Sequence, residues 1–244
     1  MANNQFERLE KIILTLQQGI GSIQGEVSTL QEELASLKDQ REVFIGELER
    51  YRGMATKDPL TEALNRRGLY EFLEREISHI LREIRSNGTT HKPLSIVYFD
   101  LNEFKPINDT YGHDAGDIFL VEFAKILREG RRGNDGVARI GGDEFVLTLP
   151  ETTQDNARLV VSRISEKASK LAMPSYKIEG ITFSAGISAL QDGRVNGAEL
   201  NRTNAKEVID TLIQQADIAM YYVKHNLGKE GIRLFSEIPI VNGH

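Results

Sequence analysis

The chain contains no cysteine among its 244 residues. That absence excludes disulfides, thiolate zinc sites and cysteine nucleophiles, and it fits a reducing cytoplasm. Long apolar runs are also lacking: near the N-terminus the longest aliphatic run is Ile12-Ile13-Leu14, whereas about 20 apolar residues are needed to span a bilayer. Met1 to Glu10 has neither the basic start nor the apolar centre of a secretion signal. No direct membrane insertion is expected, and any membrane association should come through a partner. Positive charge is not in excess either, since 30 Lys and Arg against 36 Asp and Glu give a formal net charge of −6. Nucleic-acid backbones and anionic membrane surfaces reward clustered cations, so neither is expected as the main partner. A nucleotide substrate stays open, because a pocket needs only a few local cations and a metal ion. With 40% hydrophobic and 27% charged residues, the composition is that of one globular domain with an appendage.

The appendage is N-terminal. Apolar residues recur at alternating spacings of three and four from Phe6 through Leu9, Ile13, Leu16, Ile20, Ile23, Val27, Leu30, Leu34 and Leu37, then at Phe44, Leu48 and Tyr51. With Phe6 at heptad position a, the a positions include Ile13, Ile20, Val27 and Leu34, and the d positions include Leu9, Leu16, Leu30 and Leu37. β-Branched a with Leu at d favours a parallel two-stranded coil. In this register Glu33 can meet Lys38 of a second copy, and Glu47 can meet Arg52. Sustained over about six heptads, the stripe predicts self-association more than packing on the chain's own domain. Arg41 at an a position and Gly19, Gly21 and Gly25 within two turns disturb it, each helical glycine costing up to about 1 kcal/mol. A hinge, the turn of a helical hairpin and a continuous helix all remain open. The seam ends at Arg52-Gly53, and Asp58-Pro59 reads as a helix start with Asp58 near the N-cap. The predicted division is a coiled-coil segment over 1–55 and a globular domain over 56–240.

Beyond the boundary, strand and helix patterns mix. Helices are predicted over 68–86, 115–128, 155–171 and 206–225, and strands over 94–100, 137–140, 144–149, 181–187 and 231–235. The strand Leu94-Ser-Ile-Val-Tyr-Phe-Asp100 delivers an aspartate at its end, and Gly141-Gly142-Asp143 sits at the tip of a hairpin. The expected class is α/β (α+β), a mixed sheet flanked by helices.

Arg139-Ile-Gly-Gly-Asp-Glu-Phe-Val146 carries a pentapeptide, Gly141-Gly142-Asp143-Glu144-Phe145, that chance would place in a chain of this length on the order of once in several thousand proteins. It is the signature of the GGDEF family of diguanylate cyclases, which the chain resembles. Asp100-Leu-Asn-Glu-Phe-Lys-Pro-Ile-Asn-Asp-Thr-Tyr-Gly-His-Asp-Ala-Gly-Asp117 resembles that family's metal and guanine segment, and Asp58-Pro-Leu-Thr61 with Asn65-Arg-Arg67 resembles its opening motif. The resemblance covers about residues 56–236. It implies a mainly antiparallel sheet like that of nucleotidyl cyclases and polymerase palms, and the condensation of two GTP into cyclic di-GMP with release of two pyrophosphates.

Joining one nucleotide's 3′-hydroxyl to another's α-phosphate needs a deprotonated oxygen and a neutralised phosphate, and divalent metals serve both ends. Magnesium takes hard oxygen ligands. The resemblance implies Mg2+ or Mn2+, two ions per active site, held by Asp100, the Leu101 carbonyl and Asp143, with Asp143 as base and Glu144 among the catalytic group. Gly141 and Gly142 allow close backbone approach to phosphate, and a larger residue at 142 should obstruct the substrate. It further implies that Asn108 and Asp117 read guanine, where an aspartate accepts from N1-H and the exocyclic amine, a pattern adenine lacks. Lys105 and Lys224 match positions that contact the β- and γ-phosphates. The segment Lys224-His-Asn-Leu-Gly-Lys229 departs from the family's pattern by one extra residue and by lysine for arginine, a point charge in place of a fork. Glu62-Ala63 stands where the family usually has Gly-Leu, and Asn102 where a second Asp is common.

Arg132-Gly-Asn-Asp135, separated by five residues from Gly141, matches the family's inhibitory Arg-x-x-Asp motif, and Arg163 matches a second arginine of that site. A guanidinium can fork onto a guanine edge or phosphate while a carboxylate takes guanine N-H groups. Cyclic di-GMP is thus expected as product and allosteric inhibitor. Because the product is two-fold symmetric and one pocket holds one GTP, two domains must face each other, a homodimer through the parallel coil is expected to bring them together, and a regulatory protein could act on coil register. The rival readings are a receptor that binds cyclic di-GMP without making it, and a scaffold that only binds GTP.

Overall fold

The computed structural model describes residues 2–87, 92–191, 194–195, 198–201, 204–228 and 230–239. Its chain separates into two compact units, Met1–Gly53 and Met54–His244.

The first unit is helical, within helix α1 (Ala2–Thr56). The helix runs unbroken through Gly19, Gly21 and Gly25, so the helical-hairpin alternative is not realised. A Cβ added at any of these three would meet nothing within 4 Å, and no tertiary contact there asks for glycine. The seam residues from Leu16 to Tyr51 stand exposed, from 46% at Val27 to 68% at Tyr51.

The second unit is built on a five-stranded sheet in the order β2-β3-β1-β6-β9. These strands are β1 (Leu94–Leu101), β2 (Gly136–Arg139), β3 (Glu144–Pro150), β6 (Phe183–Leu190) and β9 (Gly231–Leu234). All neighbours pair antiparallel except β6 with β9. Two short hairpins, β4 (Ala172–Met173) with β5 (Ile178–Glu179) and β7 (Arg194–Val195) with β8 (Ala198–Glu199), lie outside it. Helices α2 (Arg66–Asn87), α3 (Phe104–Tyr111), α4 (His113–Glu129), α5 (Gln154–Ser169) and α6 (Ala205–Asn226) complete the unit. The mixed, mainly antiparallel sheet flanked by helices is the class the pattern predicts.

Central strand β1 is buried along its whole length, and the period-two rule divides its side chains between two cores. Val97, Phe99 and Leu101 join Phe119, Phe123, Val161 and Ile164 of α4 and α5. Phe99 meets Phe123 and Phe183 edge-on, with ring centres 5.8 and 5.1 Å apart. Leu94, Ile96 and Tyr98 join Leu69, Leu73, Ile209, Leu212 and Met220 of α2 and α6. Asp100 continues that second row and so emerges on the α6 side of the sheet. Helix α6 lies close on β6, where a Cβ at Gly186 would fall 2.1 Å from the Ala216 carbonyl oxygen and 2.2 Å from the Met220 nitrogen. Ser188 ties the same pair by donating to the Leu212 carbonyl at 2.6 Å.

Two local expectations are corrected. Asp58-Pro59 does not start a helix. The Asp58 carboxylate accepts from the Thr61 amide and hydroxyl at 2.8 and 2.6 Å, and Glu62 then turns left-handed at φ 58°, which stops a helical course. The helix starts eight residues after Asp58, at Arg66, where Asn65 Oδ1 accepts from the Gly68 amide at 2.9 Å. The second difference is an additional helix, α3, ahead of α4. The break between them is Gly112, at φ 85°, where the left-handed backbone favours glycine.

Candidate active site

Three elements converge at one end of the sheet. Asp100 stands opposite Glu144 in the β1–β3 ladder, so their side chains share a face. The turn between β2 and β3 brings Asp143 alongside, and its carbonyl accepts from the Leu101 amide at 3.2 Å. From α6, the Lys224 ammonium donates to both Asp100 carboxylate oxygens at 2.7 Å each. Glu144 folds back over Gly141, whose missing Cβ would lie 2.0 Å from Glu144 Oε2. Gly142 is exposed and open, with nothing within 4 Å of a Cβ position.

Negative charge accumulates here. Burial pushes the Asp143 carboxyl up from the ordinary range, and the neighbouring Asp100 charge adds to it, with Lys224 and Arg139 partly offsetting both. Glu144 is raised by burial and by Asp143, Asp100 and Asp217, against a hydrogen bond from Tyr98 that lowers it. Carboxylates held this close against their own repulsion form a donor set suited to a hard divalent cation. Among the described residues, no group of three or more His, Asp and Glu side chains could hold a metal ion alone. Part of a magnesium shell would therefore come from substrate phosphates, the usual arrangement for this ion.

Three contributors at this end were not singled out in the sequence. Arg139 donates from Nε and Nη2 to the Gly142 carbonyl at 3.1 and 2.8 Å, and from Nη1 to the Asp58 oxygens at 3.2 and 3.3 Å. It ties the opening turn to the glycine turn, and its position directly before Ile140-Gly141 was the available signal. Tyr98, two residues before Asp100 on the same strand face, hydrogen-bonds Glu144, and its hydroxyl is raised by burial and by the charges of Glu144 and Asp217. Asp217 lies seven residues before Lys224 on α6, two turns along one helix face. Burial and the Asp100 charge raise it.

The predicted guanine residues come from adjoining helices. Asn108 lies in α3 and Asp117, exposed, in α4. Asn108 packs on Gly116, where a Cβ would fall 1.9 Å from its Oδ1, and that buried oxygen has no hydrogen-bond partner. Lys105 is exposed near the start of α3. Lys229 lies outside the described residues.

Arg132, Asp135 and Arg163 line a separate cavity of about 280 Å³ with Arg131, Asn156 and Leu159 among its other walls. Asp135 Oδ2 accepts from the Arg132 amide at 2.7 Å, while burial pushes its carboxyl up. The Arg132 and Arg163 side chains are exposed.

Two acidic side chains at a strand end and a hairpin turn, with a lysine reaching them from a helix, make a site suited to a divalent cation and an anionic group. Residues 55–230 match the family described as diguanylate cyclase, GGDEF domain, and the chain belongs to it. It is 35% identical over 205 residues to diguanylate cyclase DgcP of Pseudomonas aeruginosa, and 34% identical over 178 residues to diguanylate cyclase DosC of Escherichia coli. The matches cover 83% and 73% of this chain but only 27% and 35% of those relatives. Among solved structures, the coiled coil and GGDEF domain of DgcB from Caulobacter crescentus, in complex with c-di-GMP, shares the fold with a TM-score of 0.64 at 24% identity, covering 84% of this chain and 98% of that one. Diguanylate cyclase SiaD of P. aeruginosa, in complex with its activator SiaC, reaches 0.66 at 26% identity, covering 96% and 86%. Among the described residues no helix is long and apolar enough to cross a membrane.

Proposed function

We propose that this chain condenses two GTP into cyclic di-GMP and two pyrophosphates in the cytoplasm. The observation that carries this reading is the juxtaposition of Asp100 and Asp143 at the β1 end and the β2–β3 turn, in a chain of the GGDEF family. Asp100, Asp143 and the Leu101 carbonyl would hold magnesium or manganese, two ions per site, which when bound neutralises triphosphate charge and lowers the pKa of the attacking hydroxyl. Glycine at 141 and 142 admits the phosphates, and Lys105, Lys224 and Lys229 carry positive charge to their outer end. Asn108 and Asp117, on the adjoining helices α3 and α4, select guanine. The Asp143 carboxylate takes the 3′-hydroxyl proton, with Glu144 held beside it by Tyr98. The 3′-oxygen then bonds to the α-phosphorus of the GTP opposite, and the bond to the departing pyrophosphate breaks.

Each domain supplies one GTP, so two copies are needed. The exposed heptad seam supports a parallel coiled-coil homodimer. Such a tether raises the local concentration of the second domain toward the millimolar range. The cavity at Arg132, Asp135 and Arg163 binds the product and limits the reaction, and a protein activator works through the coil segment.

The test is incubation of the purified chain with GTP and magnesium, following cyclic di-GMP and pyrophosphate. Product should form and vanish in Asp143→Ala with the fold retained. A folded chain that binds GTP or cyclic di-GMP without turnover would establish a scaffold or receptor instead.

A further inference from the structure

Lys224 engages Asp100 through both carboxylate oxygens at 2.7 Å, the same two atoms a divalent cation would need. The Asp100 side chain is 9% exposed and that of Lys224 is 34% exposed. The acid is thus fixed at the strand end while the ammonium reaches it from the rim. Asp143, Glu144 and Asp217 crowd the same place, and partly buried carboxylates without a counter-charge are costly. A flexible four-carbon stem ending in a point charge suits a cation that must later leave. Lys224 supplies the positive charge that offsets these acids.

We propose that Lys224 is a displaceable internal counter-ion, closing the metal site until the triphosphate draws it off. It rests on the metal-and-triphosphate reading above. The lysine exchanges one anion, Asp100, for another, the β- or γ-phosphate, and so frees the Asp100 oxygens as the nucleotide arrives. Metal and nucleotide then bind cooperatively, and the domain takes up metal more weakly without substrate than with it. By reciprocity, a metal tightens nucleotide by the same factor.

The experiment titrates Mn2+ into the full-length chain and follows free Mn2+ by electron paramagnetic resonance, first without nucleotide. Lys224→Met should bind Mn2+ about tenfold more tightly than wild type, a factor in the usual range of such couplings. Adding Asp100→Asn to that variant should remove the gain, which locates the ion. Lys105→Met, which removes an exposed cation near the start of α3, should change affinity less than about twofold because solvent screens it. If Lys224→Met is poorly folded by circular dichroism, Lys224→Gln serves in its place. A second arm adds guanosine α,β-methylene triphosphate, which should tighten Mn2+ in wild type more than in the variant. Equal or weaker Mn2+ binding in the variant, or an equal gain in Lys105→Met, overturns the counter-ion role while leaving the metal reading intact. No Mn2+ binding that depends on Asp100, even with the nucleotide analogue, overturns both.

Discussion

Gly186→Ala is the sharpest mechanical test of how α6 serves the site. Gly186 faces Tyr98 across the β1–β6 ladder, and α6 crosses directly above it. The new methyl would lie 2.1 Å from the Ala216 oxygen, 2.2 Å from the Met220 nitrogen and 2.7 Å from the Ala219 carbonyl carbon. All three are backbone atoms, so no rotamer change can make room. The helix must retreat by about an ångström, at the typical overpacking cost of about 1–3 kcal/mol. For a domain of this size that corresponds to a fall in Tm of very roughly 2–12 °C. Helix α6 also carries Lys224, two residues short of its end, and Asp217. A shift of that size moves the Lys224 ammonium from where it would meet the β- or γ-phosphate, and misplacement by an ångström can cost about a hundredfold in rate. Thermal unfolding and cyclic di-GMP formation from GTP and magnesium read the two effects separately. No side-chain truncation on α6 should rescue either. A Gly186→Ala protein with wild-type Tm and turnover would refute the reasoning.

Two further substitutions probe the opening turn. Asp58→Asn should cost about 1–3 kcal/mol at neutral pH by weakening its hydrogen bonds to Thr61 and Arg139. Burial alone would raise the Asp58 carboxyl, but the hydrogen bonds from Thr61 and the charge of Arg139 outweigh it and hold the group below its ordinary 3.8. In that window the unfolded chain binds more protons than the folded one. Stability therefore rises with pH and saturates above 3.8, so the gap between wild type and variant in urea titrations should stay constant from about pH 8 to 5 and close below it. A gap that grows on acidification contradicts this sign. Glu62→Gly should leave the protein as stable or up to about 1 kcal/mol more so, because relief of the left-handed strain exceeds or balances the flexibility that glycine adds to the unfolded chain. A clear fall in Tm would mean that the Glu62 side chain does more than occupy the turn.

What the sequence revealed divides along physical lines. Strand β1 was legible because a strand buried on both faces must be apolar throughout, so an aspartate at its end is conspicuous. The glycine turn was legible because two short β-patterns flank it. The heptad seam was legible by its period, and the helix runs through Gly19, Gly21 and Gly25 because each costs little and no tertiary contact bends the chain there. The opening turn differs because Asp58-Pro59 satisfies the local rule for a helix start and Thr61 bonds the Asp58 carboxylate as a cap would, while the left-handed Glu62 breaks the course and Arg139, 81 positions away, also holds the carboxylate. No local window contains that partner. Helix α3 escaped because it is only eight residues long and bounded by a glycine that reads equally well as a loop.

The ion pair between Lys224 and Asp100 spans 124 positions and shows where reading by motif stops. A motif assigns each residue to the ligand it meets in the loaded site, so lysine goes to phosphate and aspartate to metal. Between turnovers neither ligand need be present, yet the low-dielectric end of the sheet still demands that its carboxylates be neutralised. The groups assigned to substrate and metal are the ones near enough to do it, and they pair with each other. Resting structure and catalytic assignment therefore differ by an exchange of partners. If Lys224 is the counter-ion proposed above, the free energy that holds the pair together is subtracted from metal and triphosphate binding, and it sets how strongly the two ligands depend on each other.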